Sequence, residues 1–286
     1  MLLRVLTACV LIPVIVALVW SAPTGLLAAA AAAVSLLALA EFLDLGERLG
    51  FRAFRKWTMA CSAAVFYAQY SMGLIETRSL GEGVSIVRNA AGGVVSVEAV
   101  LLIFVFGCAG IGLATRRPLH DILPAVSIGS AGILFIAFPF SYLVRMKEME
   151  TVGRQIVLFT LCLVWAGDIL AYFVGHWLGR VPMAPAISPK KTWEGALGNL
   201  VASLLVAVIF ARWMQAEVLE MLVIAALGNI AGQMGDLIES VYKRGAAVKD
   251  SGTLLPGHGG MLDRIDSLIL ASPIVWAAFQ WMLQRQ

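Results

Sequence analysis

The stretch Ile156–Leu178, IVLFTLCLVWAGDILAYFVGHWL, decides the class of fold. A helix needs about 20 mostly apolar residues to cross a hydrocarbon core of about 30 Å, and this stretch has that length with Asp168 as its single acidic residue. Its apolar residues run continuously, whereas the strands of an outer-membrane barrel alternate between apolar and polar residues. The stretch therefore predicts a membrane-spanning helix whose backbone satisfies its own hydrogen bonds in lipid.

The rest of the chain has the same character. Of its 286 residues, 60% are hydrophobic and 14% are charged, whereas soluble domains carry about 25% charged residues. This composition excludes an ordinary water-soluble domain, and the apolar content is too high for a disordered chain. The four cysteines all lie inside apolar runs and are too few for a disulfide scaffold. The composition predicts an all-α, polytopic membrane protein without strands.

Nine apolar runs approach the length of a membrane span. Their limits are Leu2–Trp20, Gly25–Leu43, Trp57–Met72, Val94–Ala114, Ile122–Val144, Ile156–Leu178, Ala196–Ala211, Val218–Leu237 and Ile265–Leu283. We interpret the first as a retained helix and not as a cleaved signal peptide, because the chain re-enters the membrane immediately. With nine spans, fourteen Lys and Arg residues lie on the side of the N-terminus and seven on the other, although Arg145, Lys147 and Arg154 oppose the trend. This bias predicts a cytoplasmic N-terminus.

Polar residues are unevenly distributed between the spans. We expect residues 1–155, with about five spans, to be structural and lipid-facing, and residues 156–286 to form the catalytic region. Asp168 is the clearest signal, because a carboxylate at the centre of a membrane helix costs about 2.5–3.5 kcal/mol on insertion scales. It needs a metal or substrate to bind, or else a structural ion pair with a Lys or Arg from a neighbouring helix.

The segment that follows, Gly179–Gly195, reads GRVPMAPAISPKKTWEG. Its three prolines prevent a continuous helix. Lys190, Lys191 and Thr192 directly precede the next apolar run, with Ser188 as a candidate helix cap. Positive side chains and free backbone N–H groups at a helix start suit a polyanion. The alternative is a topogenic lysine pair that faces lipid headgroups.

The eighth run ends in GQMGDLIES, which places several polar residues on one helix face. Asp236 and Glu239 are three positions apart. Ser240 follows Asp236 by four positions, and Lys243 follows Glu239 by four. Glu239 and Lys243 have the spacing of a solvated ion pair. Asp236 is harder to explain in that way, since it lies at the membrane boundary among small residues.

The connector Ser240–Asp266, SVYKRGAAVKDSGTLLPGHGGMLDRID, is the strongest functional signal. A connector of this length without an apolar period is usually functional or disordered. Its basic residues can neutralise phosphates, and the turn at residues 257–260 can direct backbone N–H groups at an anion. Asp263 and Asp266 offer the oxygen ligands that Mg²⁺ prefers. His258 is an acid or base, or a hydrogen-bonded residue of the turn.

This connector resembles the signature of the phosphatidate cytidylyltransferases, also called CDP-diacylglycerol synthases. The matching positions are Ser240, Lys243, Arg244, Lys249, Asp250, Gly252, Pro256, His258, Gly259, Gly260, Asp263, Arg264 and Asp266. SPKKTWEG and the D-x-x-A-Y-x-x-G pattern at Asp168–Gly175 resemble further features of that family. The resemblance is specific over Asp168–Asp266 and is limited to hydropathy before residue 150.

The resemblance implies transfer of a cytidylyl group from CTP to phosphatidate, which gives CDP-diacylglycerol and pyrophosphate. It implies a Mg²⁺-dependent nucleotidyltransferase of phospholipid biosynthesis, with K⁺ as an accessory ion, that forms a homodimer and binds membrane lipid but no nucleic acid. The implied location is a bacterial inner membrane with the active site facing the cytoplasm.

Carried onto this chain, the resemblance implies three groups of site residues. The catalytic residues are Asp236, Asp263, Lys243 and Arg264. The nucleotide contacts are Ser188, Lys190, Lys191, Thr192, Ser240, Arg244, Lys249, Asp250, His258, Gly259 and Gly260. The metal ligands are Asp236 and Asp263, with Asp168 and Asp266 as additional candidates.

Other readings of the residues lead to different functions. A transporter would use Asp168 and Asp236 as intramembrane cation sites, but it predicts inverted repeats that the sequence lacks. A prenyltransferase predicts paired aspartates, and no two aspartates are adjacent here. Another CTP-dependent lipid transferase or kinase would share the same phosphate-binding residues. A structural scaffold would not explain so many charges near the bilayer.

Overall fold

The computed structural model describes residues 2–73, 75–79, 85–89, 95–149, 152–254 and 259–284. Long helices dominate these ranges, which confirms the predicted all-α class. The helices are α1 (Leu2–Ser21), α2 (Thr24–Arg48), α3 (Arg55–Gly73), α4 (Val97–Ala114), α5 (Leu119–Gly132), α6 (Phe138–Phe140), α7 (Tyr142–Lys147), α8 (Gly153–Trp177), α9 (Trp193–Met214), α10 (Val218–Gly245) and α11 (Leu262–Leu283).

Two short antiparallel hairpins correct the expectation of a chain without strands. The first pairs β1 (Ile75–Ser79) with β2 (Ser85–Asn89). The second pairs β3 (Pro182–Ala184) with β4 (Ser188–Thr192), with Pro182 opposite Thr192 and Ala184 opposite Ser188. The second hairpin occupies the proline-rich segment, where the sequence predicts a break between helices.

Seven helical segments in the described ranges are long and apolar enough to cross a membrane. They are Thr24–Arg48, Val97–Ala114, Leu119–Lys147, Gly153–Trp177, Trp193–Met214, Val218–Gly245 and Leu262–Leu283. The remaining two predicted runs coincide with α1 and α3, which do not meet this measure over the described residues. The structure therefore confirms a polytopic membrane protein but not the count of nine spans.

The chain forms two compact units, Ala22–Glu148 and Met1–Ser21 with Met149–Gln286. The first helix thus belongs with the C-terminal helices, although it is distant from them in sequence. The expected division of roles between residues 1–155 and 156–286 stays a prediction.

In the unit Ala22–Glu148, α2 to α7 enclose an apolar core that includes Val65, Phe104 and Ile133. The long helical segment from α5 to α7 contains a π-helical turn at Ile133–Ala137. This turn directly precedes α6, whose second residue is Pro139. Proline lacks an N–H group and clashes with the preceding helical turn, which a π-helical turn accommodates.

In the other unit, α8 to α11 pack closely because small residues lie where the helices approach each other. A side chain built on Gly198 of α9 would lie 2.8 Å from Val174 of α8, and one on Gly235 of α10 would lie 2.5 Å from the carbonyl oxygen of Asp266. Small residues let membrane helices approach in this way. Deeper in the unit, the ring of Phe159 packs edge-on against Phe210 and Phe279.

Candidate active site

A cavity of about 350 Å³ lies among α8, α9, α10 and the β3–β4 hairpin. Its charged and polar lining residues are Asp168, Tyr172, Lys190, Lys191, Thr192, Asn199, Gln233 and Asp236. The aspartates and lysines come from three sequence features that were each predicted to be functional: the intramembrane aspartate, the SPKK segment and the end of the eighth run. The fold brings all three to one cavity.

Asp168 faces this cavity from α8. Its Oδ1 accepts a hydrogen bond from Nδ2 of Asn199 on α9, at 3.3 Å. No ion pair joins Asp168 to a Lys or Arg within the described ranges, so the structural ion pair considered from the sequence is wrong there. Gly167 allows the approach, because a side chain at that position would lie 2.0 Å from Oδ1 of Asn199.

The β3–β4 hairpin positions the lysines at the start of α9. Thr192 caps this helix, since its hydroxyl oxygen accepts a hydrogen bond from the N–H of Gly195 at 3.1 Å. Ser188 lies inside β4 and is not the helix cap that the sequence suggested. Nζ of Lys191 lies 2.5 Å from Oδ2 of Asp236, and Lys190 also lines the cavity. Lys191 is therefore paired with a carboxylate and does not simply face headgroups.

Three carboxylates cluster beside the cavity. Asp236 and Glu239 come from α10 and Asp266 comes from α11, and ligand oxygens of the three lie within 4.8 Å of one another. Gly235 permits this arrangement, because its missing side chain lets the backbone of Asp266 approach α10. The predicted ligand Asp236 and the additional candidate Asp266 are thus together, with Glu239 as a third member.

Lys243 connects this cluster to Asp263. Its Nζ forms an ion pair with Glu239, one helical turn away, and another with Oδ1 of Asp263 at 2.5 Å. The side chain of Glu239 is 0% exposed and that of Lys243 is 11% exposed. The alternative of a solvated ion pair is therefore wrong, because both groups lie inside the protein.

Asp263 has an environment different from that of the cluster. Besides Lys243, its carboxylate accepts hydrogen bonds from the backbone N–H groups of Ser251 and Gly260 at 3.0 and 2.8 Å, and from the hydroxyl of Ser251 at 3.0 Å. Gly259 adopts a φ of +81°, and a side chain there would lie 2.7 Å from Oδ2 of Asp263. Asp263 thus fixes the conformation of the connector. Its assignment as a metal ligand stays a prediction.

The balance of charge in this region favours a cation. In the carboxylate cluster, Lys191 pairs with Asp236 and Lys243 with Glu239, whereas Asp266 forms no ion pair within the described ranges. Oε2 of Glu239 is occupied by its ion pair with Lys243, so the buried carboxylate is held beside Asp236 and Asp266. Clustered carboxylate oxygens with an excess of negative charge are the surroundings that a hard divalent cation prefers.

The other predicted site residues occupy varied positions. Arg244 donates hydrogen bonds to the carbonyl oxygens of Ile187 and Val248, both at 2.9 Å, which fastens the hairpin segment to the end of α10. Lys249, Asp250 and Arg264 are exposed, and Ser240 is buried. His258 lies outside the described residues. None of these placements tests the predicted contacts with nucleotide.

The sequence analysis overlooked a group of uncharged polar residues on α9 and α10. They are Asn199, Ser203, Asn229 and Gln233, and they form a hydrogen-bonded network behind Asp168. Their signal in the sequence is the presence of amide side chains inside otherwise apolar runs, which is costly in lipid unless the amides find partners.

Comparison with known proteins gives relatives that cover part of the chain. A phosphatidate cytidylyltransferase of Bacillus subtilis (strain 168) is 39% identical over 145 residues, which are 50% of this chain and 54% of the relative. One of Brucella abortus (strain 2308) is 41% identical over 154 residues, 51% and 55% of the two chains. One of Synechocystis sp. is 45% identical over 126 residues, 43% of each chain. The chain thus spans about half the length of the relatives that it matches.

A family model matches far more of the chain than any of these relatives. The model of the cytidylyltransferase family matches residues 2–282. This range contains the cavity, the carboxylate cluster and the connector that resembles the family signature. Because the match extends over nearly the whole chain, the chain belongs to the cytidylyltransferase family.

Proposed function

We propose that the protein is a phosphatidate cytidylyltransferase, which transfers a cytidylyl group from CTP to phosphatidate and releases pyrophosphate. The observation that carries the proposal is the cavity at which lysines of the β3–β4 hairpin meet the carboxylates of α8 and α10, in a unit built of membrane-spanning helices. Membership of the cytidylyltransferase family and the names of the relatives support the same reaction.

The reaction needs no dedicated general base. A phosphate monoester has a second pKa near 6, so phosphatidate is largely a dianion at neutral pH. One of its oxygens attacks the α-phosphorus of CTP, a new P–O bond forms, and the bond to pyrophosphate breaks. The difficulty is to bring two polyanions together and to stabilise the leaving group, which calls for positioned positive charge.

Residues of the hairpin are suited to hold the phosphates. Lys190 and Lys191 line the cavity, and Thr192 caps α9 beside them, so positive charge and a helix N-terminus lie at the same place. We assign CTP phosphates to this side of the cavity. Arg264 and the Gly-rich turn, which the resemblance also implies, extend the proposed contacts from the connector.

We further propose that Asp236, Glu239 and Asp266 hold Mg²⁺. The donor set fits this ion, since three carboxylates converge within 4.8 Å and the region carries excess negative charge. A bound Mg²⁺ would neutralise phosphate charge and stabilise pyrophosphate. The sequence analysis named Asp263 as a ligand together with Asp236, and Asp263 remains the alternative to Glu239. Asp168 would complete the cation site from α8. K⁺ as an accessory ion is part of the same proposal.

The remaining features of the proposal concern the setting of the enzyme. The excess of Lys and Arg on one side favours an active site that faces the cytoplasm, and the bacterial relatives favour the inner membrane. Phosphatidate would reach the cavity from the bilayer. The family resemblance implies a homodimer, which cross-linking in detergent would reveal as a species of twice the monomer mass.

The decisive experiment measures CDP-diacylglycerol formed from CTP and phosphatidate by the purified protein in detergent. We expect product only with Mg²⁺, and none after addition of EDTA or in the Asp236→Asn variant. The exposed Lys249→Gln variant tests whether the predicted connector contact contributes. Binding of CTP without turnover of phosphatidate would retain the nucleotide site and refute the lipid acceptor, and absence of both would refute the proposal.

A further inference from the structure

Four hydrogen-bonded side chains lead from the cavity wall into the protein and back. Nε2 of Gln233 donates to Oδ1 of Asn229 at 2.7 Å, and Nδ2 of Asn229 donates to Oδ1 of Asn199 at 2.5 Å. Nδ2 of Asn199 then donates to Asp168. Asn229 is 3% exposed and does not line the cavity, whereas the other three residues of this hydrogen-bonded series do.

The orientation of the Asn229 amide is set by Ser203. The hydroxyl of Ser203 donates to main-chain carbonyl oxygens, those of Asn199 at 3.0 Å and Leu163 at 3.3 Å. Its single hydrogen is thereby committed, so its Oγ acts as an acceptor toward Asn229, whose Nδ2 lies at 2.7 Å. The amide nitrogen of Asn229 must therefore point toward Ser203 and Asn199, and its oxygen must point toward Gln233.

Asn229 in turn sets the orientation of both amides that reach the cavity. It occupies Oδ1 of Asn199 with a donor, which leaves the NH₂ group of Asn199 for Asp168. It occupies one hydrogen of the Gln233 NH₂ group, and the carbonyl oxygen of Ala196 accepts another at 3.3 Å. Gln233 therefore has only its carbonyl oxygen to offer to a ligand.

We infer that Asn229 is a positioning residue: by fixing the amides of Asn199 and Gln233, it makes the part of the cavity wall formed by Asp168 and Gln233 a hydrogen-bond acceptor. A ligand in this cavity would place anionic groups toward Lys190 and Lys191, and hydrogen-bond donors or a cation toward the wall. The inference rests on the proposed function in assigning CTP to the cavity. It goes further because it assigns a role to Asn229, which does not line the cavity but sets the orientation of Asn199 and Gln233, which do.

The first test uses Asn229→Asp, which keeps the side-chain size but replaces the donor by an acceptor. Its carboxylate can still accept from Gln233, but the donors to Asn199 and Ser203 are lost. The Ser203 hydroxyl can turn to donate to the new carboxylate, whereas the Asn199 amide must turn so that its oxygen faces Asp168. We expect the KM for CTP to rise about tenfold, the effect of one misplaced hydrogen bond of about 1.4 kcal/mol. In an Asn199→Leu background the same substitution should change the KM for CTP by less than about twofold, because the amide that Asn229 orients toward Asp168 is absent.

The control is Ser272→Ala, which removes a buried hydroxyl that donates to the carbonyl oxygen of Leu268 on the same helix. It should leave KM unchanged. Ser203→Ala is a smaller change than Asn229→Asp and should raise KM in the same direction, which keeps the test decisive if Asn229→Asp does not fold. An unchanged KM in a folded Asn229→Asp protein, or an equal rise in the Asn199→Leu background, would overturn the inference.

Melting temperatures separate this inference from the proposed function. If the wild-type protein does not turn over CTP, the proposed function fails, and the loss of melting temperature in the Asn229→Asp, Asn199→Leu and double variants then decides the inference. Less than additive losses support an amide chain in which Asn229 acts through Asn199. Additive losses refute it.

Discussion

Asp263 and Asp266 lie three positions apart on α11 but have different surroundings. Asp263 accepts hydrogen bonds from Lys243 and from two backbone N–H groups, which suits a carboxylate that holds a connector in place. Asp266 lies with Asp236 and Glu239, which suits a carboxylate that shares a cation. The two aspartates should therefore respond differently to the same substitution.

We predict that Asp266→Asn raises the Mg²⁺ concentration needed for half-maximal activity, by about tenfold, without lowering the melting temperature. Loss of one ligand weakens the cation site, while removal of one of several like charges relieves repulsion.

Asp263→Asn should instead destabilise the protein by about 3 kcal/mol, because it removes one partner of a buried ion pair. Mg²⁺ titrations and thermal unfolding measure both. The reverse pattern would favour Asp236 and Asp263 as the ligands.

Glu148 offers a prediction outside the helical spans. It follows directly on the segment Leu119–Lys147, and burial raises the pKa of its carboxyl to about 8, although Arg145 acts in the opposite direction. Its Oε1 accepts no hydrogen bond within the described ranges. The unfolded carboxyl titrates near pH 4.3, so the folded protein should lose stability as the pH rises from about 4 to about 8.

We predict that Glu148→Gln removes this loss. Its melting temperature should match that of the wild type near pH 4 and exceed it by a few degrees near pH 8.5. Thermal unfolding over this pH range provides the measurement, and Glu47→Gln serves as the control for loss of an exposed carboxylate. A difference that is constant over the pH range would show that titration of Glu148 does not contribute.

Individual site residues differ in how far the sequence could predict them. A carboxylate inside an apolar run must be compensated, so Asp168 could be recognised as functional without a structure. Glu239 could not, because the four-residue spacing to Lys243 is the same in an exposed and in a buried ion pair. Likewise, the choice between Asp263 and Asp266 depends on the path of the connector, which brings Ser251 and Gly260 to Asp263.

At the scale of elements, prolines and glycines made the breaks predictable but not the structure between them. Pro182, Pro185 and Pro189 indicated the interruption between α8 and α9. The hairpin that fills this interruption depends on contacts distant in sequence, such as the hydrogen bond from Arg244 to Ile187. Because the hairpin extends to Thr192, this residue and not Ser188 caps α9.

The contact between α10 and α11 gives a prediction at this scale. Gly235→Ala would place a methyl group 2.5 Å from the carbonyl oxygen of Asp266, so α11 must move away from α10. We expect a loss of about 1–3 kcal/mol of stability, as in other overpacked interiors. The movement should also separate Asp266 from Asp236 and raise the Mg²⁺ requirement. Thermal unfolding and Mg²⁺ titration measure the two effects.

Gly245→Ala is the matched control on the same helix. A side chain at that position has no neighbour within 4 Å. Alanine is a better helix former than glycine by about 1 kcal/mol, so this variant should be as stable as the wild type or more stable. If Gly235→Ala behaved like Gly245→Ala, close approach at Gly235 would not be what holds Asp266 beside Asp236.

At the scale of the whole molecule, the candidate site belongs to one of the two compact units. The cavity and the carboxylate cluster both lie in the unit that includes α8 to α11. The sequence indicated this location, because the intramembrane aspartate, the SPKK segment and the connector all occur after residue 160. It did not indicate that α1 joins this unit, since apolar runs carry little information about which helices pack together. The stacked rings of Trp20 and Trp213 are one such contact.

The orientation of the molecule in the membrane is the last prediction, and it depends on the number of spans. With the N-terminus inside, the connector at Lys249 faces the cytoplasm and the turn at Gln215, between α9 and α10, faces the opposite side. Both residues are exposed. In a variant without native cysteines, Lys249→Cys should resist an impermeant thiol reagent added to intact cells, whereas Gln215→Cys should react. Permeabilised cells, in which both should react, provide the control. The reverse pattern would move the proposed CTP site to the side of the membrane that lacks nucleoside triphosphates, so this experiment tests the proposed reaction as well as the topology.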